Sequence, residues 1–221
     1  MNLLLNLLPP AISDSRWMRF GLQAVAGVLV VVLAAAGAWA WYRSQESRGM
    51  AALVEATALA QQADGSQATA EARTKAITAL ETVVTLYPRL SAVSQASYQL
   101  GNLKYAAGRY NEARSAYEIA VAKSSPGSIR TLAAMGVGYS WEAEKNYPKA
   151  AAAYEAAIKG LGAKDFLYEE ALMADARAQE LSGKPDVARD IYQRLLRDLP
   201  DTRHADDLRS RVASLRSRAA R

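Results

Sequence analysis

Residues 108–122 read GRYNEARSAYEIAVA, and the same pattern returns twice further along the chain. KNYPKAAAAYEAAIK starts at residue 145 and GKPDVARDIYQRLLR at residue 183, offsets of 37 and 38 residues. Their sixth, tenth and thirteenth positions are Ala113, Tyr117 and Ala120; Ala150, Tyr154 and Ala157; and Ala188, Tyr192 and Leu195. A worn copy, EARTKAITALETVVT from residue 71, keeps Ala76, Leu80 and Val83 in register. A tyrosine four residues after an alanine lies on the same helical face, one turn on. Small residues let two helices approach closely, and the ring fills the gap beside the next unit. Each copy is therefore predicted to be the second helix of a stacking unit.

A first helix of matching type precedes each copy. SYQLGNLKYAAG carries Leu100-Gly101 and Tyr105, AAMGVGYSWEAE carries Val137-Gly138 and Trp141, and ALMADARAQELSG carries the poorer match Asp175-Ala176. Pro88 and Pro200 close the first and last copies. Alanine is the best helix former, and β-branched residues are sparse after residue 90, so the chain is read as all-α. Helix pairs recurring at this spacing resemble tetratricopeptide repeats, whose period is about 34 residues. The resemblance covers roughly residues 50–203 and implies an α-solenoid of about three to four helix pairs. Beyond it, Leu208, Val212 and Leu215 fall on one face of a last helix with Arg and Asp on the others, the pattern of a polar-backed capping helix.

The chain of 221 residues has room for one ordinary domain and an appendage. With only two Phe, its core must come from Ala, Leu, Val and Tyr. The absence of cysteine removes disulfides, thiolate metal sites and a cysteine nucleophile. The net charge of +5 is partly gathered in the tail RHADDLRSRVASLRSRAAR, read as a solvated face, with contact to anionic lipid or an acidic partner as the alternative. No basic stripe interleaved with stacking aromatics is present, so nucleic acid is not an expected partner.

FGLQAVAGVLVVVLAAAGAWAWY, residues 20–42, runs without a charge between Arg19 and Arg43. Its length spans a hydrocarbon core of roughly 30 Å, and Trp17, Phe20, Trp39, Trp41 and Tyr42 stand where interfacial rings settle. A transmembrane helix in contact with the bilayer is expected. The competing signal-peptide reading has a small-x-small site at Ala38-Trp39-Ala40, but the apolar run exceeds the usual 7–15 residues of a signal core. Arg16 and Arg19 on one side balance Arg43 and Arg48 on the other, so flanking charge does not orient the span. The short amino-terminal segment favours a cytoplasmic amino terminus. Its stretch MNLLLNLLPP is read either as a surface helix or as an unstructured arm. The expected organisation is an arm over 1–19, a membrane helix over 20–42, a spacer helix and degenerate first repeat over 43–93, three repeats over 94–203, and a basic capping helix over 204–221.

No catalytic constellation emerges. His204 is the only histidine, no serine sits in a nucleophile elbow, and Glu112, Glu118, Glu142 and Glu155 are scattered. Glu169 and Glu170 are adjacent and diverge around a helix. The chain is read as a binding protein and not an enzyme, with no cofactor or metal.

An amino-terminal anchor, the short spacer RSQESRGMAAL and an alanine-rich repeat domain together resemble the ancillary subunit of the bacterial Sec translocon, whose repeat domain is likened to that of a cell-division coordinator. Two features depart from it: the amino-terminal arm is apolar, and the repeats after residue 94 are better formed. The resemblance implies a single-pass protein of the bacterial inner membrane with a periplasmic repeat domain. There it would act as a scaffold or chaperone-like module, meeting membrane-complex subunits, translocating chains or periplasmic chaperones. The alternatives are a permanent structural accessory subunit of a large membrane complex and an envelope-assembly or cell-division scaffold. The tetratricopeptide resemblance further implies a partner-binding groove at the second, fifth, ninth and twelfth positions of each first helix. Counted from Ser94, Thr131 and Glu169, the groove residues are Tyr98, Asn102, Tyr105, Met135, Tyr139, Glu142, Met173, Arg177 and Glu180, with Gln95, Leu132 and Glu170 beside them. The basic carboxylate clamp of chaperone-tail-binding relatives is missing, since Tyr98, Gly136 and Glu170 occupy its places. A hydrophobic peptide or a neighbouring subunit's helix is the expected occupant.

Overall fold

The computed structural model describes residues 15–63 and 69–219, and among these it contains nine α-helices and no strand. They are α1 (Ser15–Ala63), α2 (Ala70–Leu86), α3 (Val93–Ala106), α4 (Tyr110–Lys123), α5 (Ser128–Ala143), α6 (Tyr147–Ile158), α7 (Tyr168–Leu181), α8 (Pro185–Asp198) and α9 (Ala205–Ala219). The chain divides into two compact units between Arg48 and Gly49. The expectation for the arm MNLLLNLLPP lies outside the described residues.

The first unit is the amino-terminal part of α1. From Phe20 onward α1 holds a stretch long and apolar enough to cross a membrane, a candidate span. Leu22, Val28, Val31 and Leu33 are exposed, and the Arg43 guanidinium lies 5.2 Å from the centroid of the Trp39 ring. RSQESRG, which falls in the stretch expected as a spacer helix, is helical and belongs to α1. Nothing in it breaks a helix except Gly49, which alone costs only about 1 kcal/mol relative to Ala. Ala38-Trp39-Ala40 likewise lies within α1.

The second unit is a run of helix pairs closed by α9. Leu53, Ala56, Ala60 and Ala63 of α1 share a core with Ala76, Ile77, Leu80 and Val83 of α2, so the carboxyl-terminal part of α1 is the first helix of the worn repeat. The pairs α3–α4, α5–α6 and α7–α8 follow, with α4 packed on α5, α6 on α7 and α8 on α9. Local signals set the helix starts. Thr69 caps α2 by accepting from the Ala72 N–H at 3.1 Å, Asn146 caps α6, and proline opens α6 and α8 where a missing N–H is harmless.

The turn inside each pair is the same device three times. The backbone N–H of Arg109 donates to the Lys104 carbonyl at 2.9 Å, Asn146 to Trp141 at 2.8 Å and Lys184 to Gln179 at 2.9 Å, closing each first helix with a Schellman-type bond. The residue before each donor takes the left-handed conformation: Gly108 at φ 73°, Lys145 at φ 60° and Gly183 at φ 79°. Lys145 adopts it without glycine's freedom.

Packing between pairs rests on the tyrosines. A Cβ placed on Gly101 of α3 would stand 2.5 Å from the Tyr117 ring, and one on Gly136 of α5 would stand 2.7 Å from that ring. Tyr117 is thus wedged between two glycines of successive first helices. Gly138 presses Tyr154 in the same way at 2.3 Å. Ala113, Ala150 and Ala188 are completely buried, and so are Ala76 and Leu80 of the worn copy. Residues 108–122 are a stacking unit because the alanine permits the approach and the ring fills it.

Candidate protein-binding groove

The nine residues expected to line a groove lie on α3, α5 and α7. Each first helix presents its side chains to the second-helix tyrosines, and the contacts recur with the repeat. Tyr98 tilts against Tyr117 with ring centroids 6.0 Å apart, Tyr139 meets Tyr154 edge-on at 5.5 Å, and Tyr105 lies 5.3 Å from Tyr110. The Tyr154 hydroxyl donates to Glu142 at 2.8 Å and the Tyr192 hydroxyl to Glu180 at 2.7 Å. In the earlier pair the matching position is Tyr105, which offers no carboxylate, and Tyr117 donates instead to Asn102 Oδ1 at 2.8 Å.

Three further hydrogen bonds join α5 to α7. Arg177 grips Glu142 with both Nε and Nη2, at 2.8 and 3.0 Å, and the Tyr139 hydroxyl donates to Glu170 at 2.9 Å. Burial pushes the Glu142 carboxyl up, but the hydrogen bonds from Arg177 and Tyr154 outweigh it and hold the group below the usual carboxylate range. Burial, reinforced by a carboxylate acceptor, pushes the Tyr139 and Tyr154 phenols well up, so both remain donors. The polar groups of this face are therefore largely satisfied by one another.

Met135 has a different position from the one expected. It is 1 % exposed and belongs to the core with Tyr154 and Leu172, so it does not line an open groove. The cause is its place on the middle first helix: α5 packs against α3 and is bonded to α7, so its side chains have neighbours on both sides. Met173, the matching residue of α7, is only half-buried.

An open cleft of about 780 Å³ collects part of the strip. It is lined by Tyr139, Met173 and Arg177, and by Phe166, Arg203 and His204, which the residue pattern did not single out. Glu169, Glu170 and Thr202 complete its polar edge, with Thr202 donating to Glu169. Phe166, in the loop before α7, is 95 % exposed. One signal could have found it: a phenylalanine in the polar segment KGLGAKDF, in a chain with only two. Asn102 lines a separate cleft of about 420 Å³ with Thr57, Gln61, Arg73 and Gln99. Among the described residues no group of three or more His, Asp or Glu side chains could hold a metal ion.

Models of the tetratricopeptide repeat match residues 98–166 and 170–202. These are tetratricopeptide repeats. Two crystal structures of nearly identical TPR-like repeats of a putative Podosopora anserina kinesin light chain, one of them carrying a single substitution, are similar to the chain. Each is 16 % identical, covers 80 % of this chain and 98 % of its own, and superposes with a TM-score of 0.51 or 0.52. At that identity the likeness shows the fold alone. No curated protein matches the chain. Tetratricopeptide repeats act as protein–protein interaction modules, and the all-helical solenoid of this chain is of that class.

Proposed function

We propose that the protein is a membrane-anchored interaction module whose repeat groove holds an apolar segment of a protein partner. Phe166 carries the reading: this phenylalanine is 95 % exposed and shares a cleft of about 780 Å³ with Tyr139 and Met173, so a partner seated there gains apolar burial from a grouped surface. Tyr139 and Met173 supply adaptable apolar surface beside it, while Arg177 is already committed to Glu142. The apolar run over residues 20–42 would hold the module at a bilayer, with the repeats on the periplasmic face of a bacterial inner membrane. The resemblance noted in the sequence points to a subunit of a membrane complex such as the Sec translocon, or to a chain or chaperone beside it, as the partner.

A permanent accessory subunit is the second reading, favoured by the mutual satisfaction of Glu142, Arg177, Tyr139 and Glu170, which leaves few polar groups to read varied clients. One experiment tests both. A photo-crosslinking residue at position 166 of the full chain in native membranes should label a protein neighbour, and Phe166→Ser should abolish its co-purification without lowering the melting temperature. One stoichiometric neighbour supports the accessory subunit and many substoichiometric ones the chaperone-like module. Labelling of lipid alone, or undiminished capture by Phe166→Ser, refutes the groove. A periplasm-only reporter fused after Arg221 should be active, and activity from a cytoplasmic reporter instead would reverse the topology.

A further inference from the structure

The last helix repeats a pattern that it does not complete. Eight residues after the starts of α3, α7 and α9 stand Gly101, Ala176 and Ala213. Around Gly101, the residues Ser97, Leu100 and Lys104 are buried, and around Ala176, so are Leu172, Asp175 and Gln179. The Gly101 face is the one pressed by Tyr117, a residue of its own pair's second helix. On α9 the same four places hold Arg209, Val212, Ala213 and Arg216, and three of them, Arg209, Ala213 and Arg216, are exposed. A second observation fixes the register. Tyr117 reaches forward to Gly136 of the next first helix, and the place matching Gly136 on α9 is Arg211, whose guanidinium lies 5.8 Å from the Tyr192 ring centroid. Leu208, Val212 and Leu215 are buried as a first helix buries its inner side. α9 is thus the first helix of a fifth pair.

The vacant side is an open groove of about 420 Å³ between α8 and α9. Leu196, Val212 and Ala213 form its floor, and Arg197, Arg209 and Arg216 its rim. Arg209 reaches Asp206 at 2.8 Å, but both groups are well exposed, and such a pair contributes little. Among the described residues Arg197 and Arg216 have no carboxylate within ion-pair distance. The fold itself indicates what such a rim accepts. Lys104 of α3 holds the place matching Arg216, and its Nζ meets two carboxylates, Glu81 of the preceding second helix at 2.6 Å and Glu112, in the first turn of its own second helix, at 3.5 Å; the place matching Glu81 on α8 is the uncharged Gln193.

We propose that the α8–α9 groove receives an acidic amphipathic helix of a partner protein, seated as the second helix of the fifth pair. Its apolar side covers Leu196, Val212 and Ala213, its first turn brings a carboxylate to Arg216, and acids further along its length meet Arg209 and Arg197. This surface is distinct from the aromatic cleft at Phe166 and does not depend on that reading.

The chain has no cysteine, so Ala213→Cys provides a single reporter on the groove floor. The probe is a synthetic helix copying α4, YNEARSAYEIAVAK, with Glu at the positions of Asn111 and Ser115; a control peptide carries Lys at those positions and in place of Glu112 and Glu118. The full chain in detergent micelles is alkylated with N-ethylmaleimide. The acidic peptide should slow alkylation at least tenfold at saturation, and the lysine peptide should not. Arg209→Gln with Arg216→Gln should remove the protection, while the thermal melt stays that of the parent. Equal protection by both peptides, none by the acidic one, or protection that survives the double substitution overturns the proposal. So does stronger protection by phosphatidylglycerol vesicles, which would assign the groove to lipid, or protection that grows with protein concentration alone, which would assign it to a second copy.

Discussion

Asp175 stands where α3 has Leu100 and α5 has Val137, and it is 4 % exposed. Its Oδ1 accepts from Gln179 Nε2 at 3.3 Å, and the same Nε2 donates to Glu155 of α6 at 3.0 Å. One amide thus serves two carboxylates, while Gln179 Oε1 has no hydrogen-bond partner. Burial, with the nearby charge of Glu155, pushes the Asp175 carboxyl from its ordinary 3.8 up to about 6. An acid whose pKa rises on folding binds its proton more tightly in the native state. Its charge therefore imposes no penalty below pH 3.8, a growing one as pH rises toward 6, and a full one above. At about 1.36 kcal/mol per pH unit the gap amounts to about 3 kcal/mol at neutral pH. Asp175→Asn keeps the shape, removes the charge and can donate to the unfilled Gln179 Oε1. The variant should be more stable than the parent by about 1.5–3 kcal/mol at pH 7.5, with the advantage shrinking toward pH 4. For a chain of this size that is roughly 3–12 °C in melting temperature. Thermal melts of the full chain in detergent, followed by far-ultraviolet circular dichroism at both pH values, measure it. A variant less stable than its parent at pH 7.5, or an advantage that does not change with pH, would refute the linkage.

Other substitutions probe the repeat register. Ala113→Leu and Ala150→Leu overpack closed helix pairs and should each cost about 1–3 kcal/mol by thermal melt; parental melting of both would sink the register. Gly138→Ala, which drives a Cβ to 2.3 Å from Tyr154, should destabilise strongly, whereas Gly162→Ala, whose Cβ would meet only Asp165 at 3.9 Å, should melt like the parent. Lys145→Gly relieves a left-handed lysine and should be neutral to about 1 kcal/mol stabilising, and a clear loss would contradict the strain at φ 60°. Arg114→Ala removes the 2.7 Å pair with Glu144 and the guanidinium stacked 3.6 Å from the Trp141 centroid. It should cost about 2–3 kcal/mol in a urea titration.

The second helices are legible in the sequence because their chemistry is local: an alanine and a tyrosine one turn apart state both the approach and what fills it. The worn copy at Ala76, Leu80 and Val83 is legible for the same reason. Less is legible wherever the outcome depends on what a neighbouring element covers. Met135 and Met173 occupy the same place in their helices, yet one is closed between two first helices and the other is half-open. Nothing in the residues around Tyr117 indicates that its hydroxyl turns to Asn102 while Tyr154 and Tyr192 reach a glutamate; that follows from Tyr105 replacing an acid. Phe166 and His204 enter the cleft from loops, whose paths no helical period predicts. The spacer is the simpler case: RSQESRG is polar, but polarity does not stop a helix, and α1 runs through it.

The charges divide the molecule into two kinds of surface. Across the stack they join neighbouring pairs: Lys104 of α3 reaches Glu81 of α2 at 2.6 Å, Arg114 of α4 reaches Glu144 at the end of α5, and Arg177 of α7 holds Glu142 of α5. At the cleft Arg177 is held by Glu142, so under the proposed function a partner gains mainly from the apolar area around Phe166, Tyr139 and Met173. Among the described residues the α8–α9 groove lacks that internal pairing at Arg197 and Arg216. Added salt screens exposed charges over about 10 Å at 0.1 M and leaves apolar burial almost untouched. Association through the aromatic cleft should therefore persist as ionic strength rises, while association through the arginine rim falls away. The two proposed sites are therefore told apart by how capture at each responds to added salt.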